Sequence, residues 1–265
     1  MTHPEQRLGY YLSTDEPGLF LPQDIGIAGW KPDQLHGPAI TGLLTRTAIV
    51  EAEARGLEQR LVRAGFELFA RARLVPTHVR ADVVRSGARV TLIDVVLSQE
   101  GRDVARGHFF FAVAAGSPGN DLWLPGLDVA PPPAGVGHDR QWRVHHSAQT
   151  GWTTDVTTLA GGVRRGLWQY AIDLVDGERV SGDVLAGFVS DITSFAVNAG
   201  SRGLQHINID ANLNISRSPV GGGVGIVATH VSENDGISVG SAVMFDERGP
   251  FAVTSLTGIS HSRTS

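Results

Sequence analysis

The amino-acid sequence predicts an α+β fold, two tandem antiparallel sheets each wrapped on a central helix. Three observations lead there. Segments in which apolar and polar residues alternate fill most of both halves, each half holds one helix-like segment, and the same order of elements occurs twice around a Pro- and Gly-rich stretch.

In chain order, residues 9–12 and 19–21 flank the acidic turn STDEPG and read as a short hairpin. Residues 36–56, HGPAITGLLTRTAIVEAEARG, place Pro38 near a helix start and Gly56 past its end, where those residues favour helix termini. The first half of that helix is apolar and the second carries Glu51 and Glu53, so it is expected to be half buried. A strand is predicted over 66–74, with Phe66, Leu68, Ala70, Ala72 and Leu74 on one face and Pro76 ending it. Residues 79–85 and 89–97 form a hairpin through Ser86-Gly87, and Glu100-Gly101 turns the chain into a strand over 103–113. Residues 116–137 read as a connection between halves. The predicted division is 1–115, a linker at 116–141, and 142–265.

The second half repeats the first. A strand over 166–174 precedes a turn at Asp176-Gly177-Glu178, then an apolar helix over 184–197, a long strand over 205–217, and strands separated by turns at Asn234-Asp235-Gly236 and Arg248-Gly249. Pro76 and Pro219, and Gly101 and Gly249, stand in matching places. Neither half alone hides both its sheet edge and its helix ends, so the two are expected to join side by side into one sheet, a double hotdog.

The helix over 184–197 is apolar on all sides, as in a helix enclosed by protein. Asp191 stands in its middle, sharing a stripe with Val184, Phe188 and Phe195. A carboxylate there is poorly hydrated and is expected to have a raised pKa, suited to a general base. In the following strand Ile207, Ile209, Ala211, Leu213 and Ile215 alternate with His206, Asn208, Asp210, Asn212 and Asn214. The apolar row is expected on the core and most of the polar row in solvent, although Asn and Asp are poor strand formers.

Composition narrows the chemistry. At 265 residues with 42% hydrophobic and 18% charged residues, the chain is long enough for two domains of ordinary size or one double-sized unit with a substantial core. No cysteine is present, which removes disulfides, thiolate ligands and a cysteine nucleophile. A formal charge of -5 without a basic cluster argues against nucleic acid as a partner. The arginines of RAGFELFARARLVPTHVR read as solvated or as contacts for a phosphorylated cofactor. No apolar run approaches the roughly 20 residues that span a bilayer, and MTHPEQRLGYYL lacks the pattern of a signal peptide, so no membrane association and a cytoplasmic location are expected. His145-His146 has no third ligand at metal spacing and reads as a loop pair, with no metal. Gly221-Gly222-Gly223 precedes no helix and reads as a turn rather than a phosphate loop, and no G-x-S-x-G elbow occurs.

The runs GLWQYAIDLVDGERVSGDVLAGFVSD, HINIDANLNISRSP and NDGISVGSAVMFDERGPFAVTSL, in that order, resemble the double-hotdog acyl-CoA thioesterases of the bacterial type II class, in particular actinobacterial thioesterase-like proteins. The first half agrees through HGPAITGLL and VVRSGARVTLIDVVLSQEGRDVARGHFFF. The resemblance implies hydrolysis of an acyl-CoA or acyl-carrier thioester by a water that a helix Asp, a strand Ser or Thr and a C-terminal Gln hold and activate, without a cofactor. On that pattern Asp191 takes the helix position and Asn208 the hydroxyl position. The Gln position falls on Leu256, so that only Thr254, Ser255 or Thr257 is left to substitute. His36, Gly37 and Asp210 are expected to contact substrate, and open sheet edges imply a homo-oligomer. The family's Gly-Glu-Trp after the Pro is replaced by Gly221 to Val224.

Two other functions fit the same fold. Hotdog hydratases and dehydratases pair a His with an Asp across the halves, and His36 is the available partner for Asp191, although their H-x-x-x-G-x-x-x-x-P pattern is missing. A protein that binds an acyl thioester without turning it over is the third reading, favoured by Leu256.

Overall fold

The computed structural model describes residues 9–29, 32–119, 121–137, 142–159 and 161–260. The elements run β1 (Tyr11–Ser13), β2 (Leu19–Pro22), α1 (Gly37–Ala54), β3 (Arg60–Leu68), β4 (Thr77–Ser86), β5 (Val90–Gln99), β6 (Arg102–Ala112), β7 (Arg143–Ser147), β8 (Gly151–Thr153), β9 (Arg165–Tyr170), α2 (Gly182–Asn198), the two-residue strands β10 (Ala199–Gly200) and β11 (Gly203–Leu204), β12 (His206–Asn208), β13 (Asp210–Ile215), β14 (Gly223–Asn234), β15 (Ile237–Asp246) and β16 (Gly249–Ser260).

The sheet shows the duplication directly. Its order is β1-β2-β4-β5-β6-β3-β13-β16-β15-β14-β9-β7-β8. Outward from the central antiparallel pair β3 and β13, the first half continues through β6, β5 and β4 and the second through β16, β15 and β14. The halves therefore meet edge to edge, and neither leaves its central strand unpaired. The matched turns agree as well: Gly101 and Gly249 both adopt the left-handed backbone that glycine reaches without steric penalty, at the turns from β5 to β6 and from β15 to β16. The N-terminal segment ties back across the halves, since Tyr10 and Tyr11 N–H groups donate to the carbonyls of Asp173 and Leu174.

Both helices lie against the sheet and against each other. α1 buries its first three turns and exposes its charged end, whereas α2 is buried on every side from Val184 to Thr193. Ser181 caps α2, its hydroxyl accepting from the Val184 N–H at 3.3 Å. The helices touch at Gly187, where a Cβ would lie 2.7 Å from Thr45 Cβ and 2.9 Å from its Cγ2. No helix is long and apolar enough to cross a membrane among the described residues.

Four expectations change. The strand expected over 66–74 is β3, which begins at Arg60 and ends at Leu68. Past Leu68 the N–H groups of Phe69 and Ala70 turn to the Val104 carbonyl, and Ala72 O accepts from Leu35 N–H; alternation carried by alanines buries too little to hold a strand. The strand expected over 166–174 ends at Tyr170 because the N-terminal segment takes up the backbone beyond it. His145 and His146 belong to strand β7, where their rings stack on Phe195 and Trp152. The connecting stretch has no helix or strand among its described residues, yet it is strapped down: Val129 packs with Trp168 and Phe245, and Tyr170 Oη donates to Val136 O at 2.6 Å.

The fourth change concerns the long strand over 205–217. Asn208 pairs with Gly258, but Asn212 pairs with Ser255, so the first strand has one residue more than its partner. Ile209 and Asp210 share Thr257: Ile209 N–H donates to Thr257 O at 3.0 Å, and Thr257 N–H donates to Asp210 Oδ1 at 2.6 Å. This is a β-bulge, which reverses the alternation before it. Ala211, Leu213 and Ile215 reach the core as expected, but Ile207 and Ile209 are each 41% exposed. Asn208 turns inward instead.

The close helix contact gives a stability prediction. Gly187→Ala gains about 1 kcal/mol of helix propensity but forces a methyl into Thr45, an overpacking that costs about 1–3 kcal/mol. We expect a lower melting temperature, partly restored by Thr45→Ala in the double variant.

Candidate active site

The middle of α2 places Asp191 at the wall of a cavity of about 1100 Å³ that runs between the helices and past β12. The residue is only 7% exposed. Desolvation raises its pKa above the ordinary carboxylate value, while the Asn208 hydrogen bond and the charge of Arg143 act in the opposite direction. Asn208 Nδ2 donates to Asp191 Oδ1 at 3.0 Å and to its backbone carbonyl at 3.3 Å. Asn208 Oδ1 is buried and has no hydrogen-bond partner among the described residues. One carboxamide thus holds the carboxylate and keeps a free acceptor beside it.

The first half supplies the opposite wall. Gly37 opens α1 against the Asp191 carboxylate; a Cβ there would lie 2.7 Å from Cγ and 2.8 Å from Oδ1. Absence of a side chain is therefore a steric condition of the site. The same approach brings the start of α1, and with it the positive end of the helix dipole, to the carboxylate. His36 precedes Gly37 and lines the cavity. Burial first, and the Arg143 charge second, push its pKa down to about 3, so it is neutral at physiological pH.

Arg143 of β7, Gln169 of β9 and Tyr10 complete the polar wall. Arg143 Nε donates to Gln169 Oε1 at 3.1 Å, and Gln169 Nε2 donates to the carbonyls of Trp142 and Tyr170 at 2.9 and 3.0 Å. The Tyr10 hydroxyl has its pKa raised by burial and remains protonated. None of these three was marked by sequence pattern. A single Arg at the start of RVHHS, or a Gln inside GLWQY, has no periodicity or motif to set it apart; only the pairing of β7 with β9 brings them together, Arg143 opposite Gln169.

The other expected residues divide sharply. Asp191, Asn208, His36 and Gly37 converge on the cavity. Asp210 does not: its two oxygens accept from Thr257 N–H and Asn212 Nδ2, which staples the bulge. Thr254 is fully buried, with its hydroxyl accepting from Thr193 Oγ1 at 3.2 Å, and Ser255 lies between Asn212 and Ser241 in the sheet; neither lines the cavity. Leu256 is in the core. An unbroken ladder from Asn212 and Ser255 would put Ile259 opposite Asn208; the bulge brings Gly258 there, which has no side chain. Among the described residues no cluster of His, Asp or Glu could hold a metal ion.

Residues 27–112 match the family model of the acyl-CoA thioesterase N-terminal domain. No curated protein matches the sequence. Among solved structures, the chain is similar to a hot dog fold protein of Alicyclobacillus acidocaldarius, with 14% identity, 100% of each chain covered and a TM-score of 0.69. It is similar to the TesB protein of Mycobacterium avium subsp. paratuberculosis, with 14% identity over 95% of this chain and 96% of that one and a TM-score of 0.66. The acyl-CoA thioesterase II TesB2 of Mycobacterium marinum gives 13% identity over 96% of both chains and a TM-score of 0.64. At such identities the structures speak for the fold, and the family match speaks for the first half. The chain has a double hotdog fold, and within its first half residues 27–112 are similar to the acyl-CoA thioesterase N-terminal domain.

Proposed function

We propose that this protein hydrolyses an acyl-CoA thioester to the free acid and thiol, with Asp191 as general base. The observation that carries the reading is the Asp191–Asn208 pair: a buried carboxylate with raised pKa, held by a carboxamide whose other oxygen is unpartnered, at the wall of a cavity in a thioesterase-type fold. A water donating one hydrogen to Asp191 and the other to Asn208 Oδ1 points a lone pair at the thioester carbonyl. Asp191 takes the proton as the oxygen–carbon bond forms. The oxyanion of the tetrahedral intermediate is stabilised by the positive end of the α1 dipole. The carbon–sulfur bond then breaks, and the thiolate leaves with the proton returned from Asp191.

Gly37 and His36 contribute shape and neutrality at this wall, and Asp210 contributes through the bulge that aims Asn208. A cytoplasmic place in lipid metabolism and a homo-oligomeric assembly belong to the same proposal, supported by the CoA-directed family and by the edge strand β8 at one end of the sheet. Hydration of an enoyl thioester keeps one supporting observation, the placement of His36 and Asp191 on one cavity; it consumes water without releasing thiol, which separates the two.

Free-thiol release from a panel of acyl-CoAs tests the proposal. Asp191→Asn is expected to lose activity on the order of 10²–10⁴-fold while keeping its fold by circular dichroism; release that persists in this variant refutes the base assignment. Gly37→Ala should lose turnover comparably, because its methyl displaces the carboxylate.

The pH profile gives a separate check. Activity requires ionised Asp191, so kcat/KM should rise with pH through a value above the ordinary carboxylate 3.8. Removing the hydrogen bond in Asn208→Ala removes an influence that lowers this pKa, so the limb should move further to alkaline pH. A limb that stays in place, or moves to acid, contradicts the arrangement.

A further inference from the structure

Arg143 is the part of the cavity that water activation leaves unexplained. It is enclosed by protein, and burial draws its pKa down from the usual guanidinium value. Among the described residues its one hydrogen-bond partner is Gln169, through Nε, and no carboxylate lies within ion-pair distance. Asp191 acts on it through space, from further off. The other polar side chains of this wall, Tyr10, His36 and Gln169, are neutral. An enclosed cation without an anion is unfavourable, and the structure has nonetheless fastened it: Gln169 is itself locked by two backbone carbonyls, so it orients the Arg143 fork instead of following it. With Nε occupied, the two Nη groups remain for a planar oxyanion pair.

Its position selects the kind of anion. Arg143 lies close enough to Asp191 for their charges to shift each other's pKa, and both line one cavity. When the thioester carbon is at Asp191, the phosphates of CoA are far away along the pantetheine arm. Only a group a few carbons from the reacting carbon is within reach. We propose that Arg143, oriented by Gln169, binds a carboxylate at the far end of the acyl chain, so that the preferred substrate is the thioester of a short dicarboxylic acid. This rests on the hydrolytic reading for the site, but it concerns binding and is testable without turnover.

The test compares glutaryl-CoA with pentanoyl-CoA, equal in carbon count and different in the terminal carboxylate. Calorimetric binding to the Asp191→Asn protein should favour glutaryl-CoA by about tenfold or more, the range of a charge-assisted hydrogen-bonded pair. Arg143→Met should abolish the preference and leave pentanoyl-CoA binding nearly unchanged, and Arg143→Lys, a point charge without the fork, should retain part of it. Equal affinity for the two ligands, or tighter binding of pentanoyl-CoA, with Arg143 intact overturns the assignment, and that comparison decides even where the Met variant does not fold. An equal loss of both ligands in Arg143→Met also overturns it, since a structural or oxyanion role would act on both. Preferential binding of glutaryl-CoA with no thiol released by the unaltered protein refutes hydrolysis and leaves Arg143 standing; thiol release without preference does the reverse.

Discussion

A carboxylate enclosed inside a helix that is itself enclosed is the constraint on which this molecule depends. Taking an ionisable group out of water is unfavourable by several kcal/mol unless something replaces the hydration. Here the replacement comes from three directions, and each requires a different part of the duplicated chain. β12 brings the Asn208 carboxamide, the start of α1 brings the positive end of its dipole past a glycine, and β7 brings a cation from further off. Neither half could build the site alone, because α1 belongs to the first and α2 to the second.

Close approach is therefore the recurring structural theme. Gly37 admits the Asp191 carboxylate and Gly187 admits Thr45, so the two helices come together where the base is held. The sheet closes the other side through the antiparallel pair of β3 and β13. The Arg217–Asp246 ion pair steadies the far end of β13, with both guanidinium Nη groups on a fully buried carboxylate that also accepts from the Val220 and Arg248 N–H groups and whose pKa these donors hold down. Two buried carboxylates, one in α2 and one at the end of β15, thus have opposite pKa shifts. Asp246 has four donors and no cavity, whereas Asp191 has one side-chain donor and a large cavity.

The sequence made the architecture legible wherever a pattern was long. Two helices, the repeated order of elements and the side-by-side joining of halves follow from periodicity, glycine turns and matched prolines, and Asp191 stood out because a charge interrupted an apolar helix. The site was only partly legible. The bulge at Ile209 and Asp210 leaves no mark in an alternation that continues unbroken through it, so the sequence pattern puts Ile207 and Ile209 on the core face and does not reveal that Asp210 is turned to the backbone of β16. Register, not composition, decides where Asn208 points. Arg143 and Gln169 were invisible for a related reason: they are distant in sequence, and strand pairing alone unites them.

The bulge also bears on why an amide can stand where the resemblance implies a hydroxyl. A hydroxyl beside a carboxylate donates its one hydrogen to it and leaves lone pairs in several directions, and it can rotate between partners. A carboxamide cannot rotate its donor and acceptor independently. Once Nδ2 is committed to Asp191, Oδ1 is fixed about two bond lengths away on the same planar group, and the acceptor it presents must face the same small volume as the base. A water there has one hydrogen for each oxygen and no freedom to reverse them. On the hydrolytic proposal, an amide at this position gives up a proton relay and gains a defined orientation for the nucleophile, an exchange suited to a thiolate leaving group that requires little acid assistance.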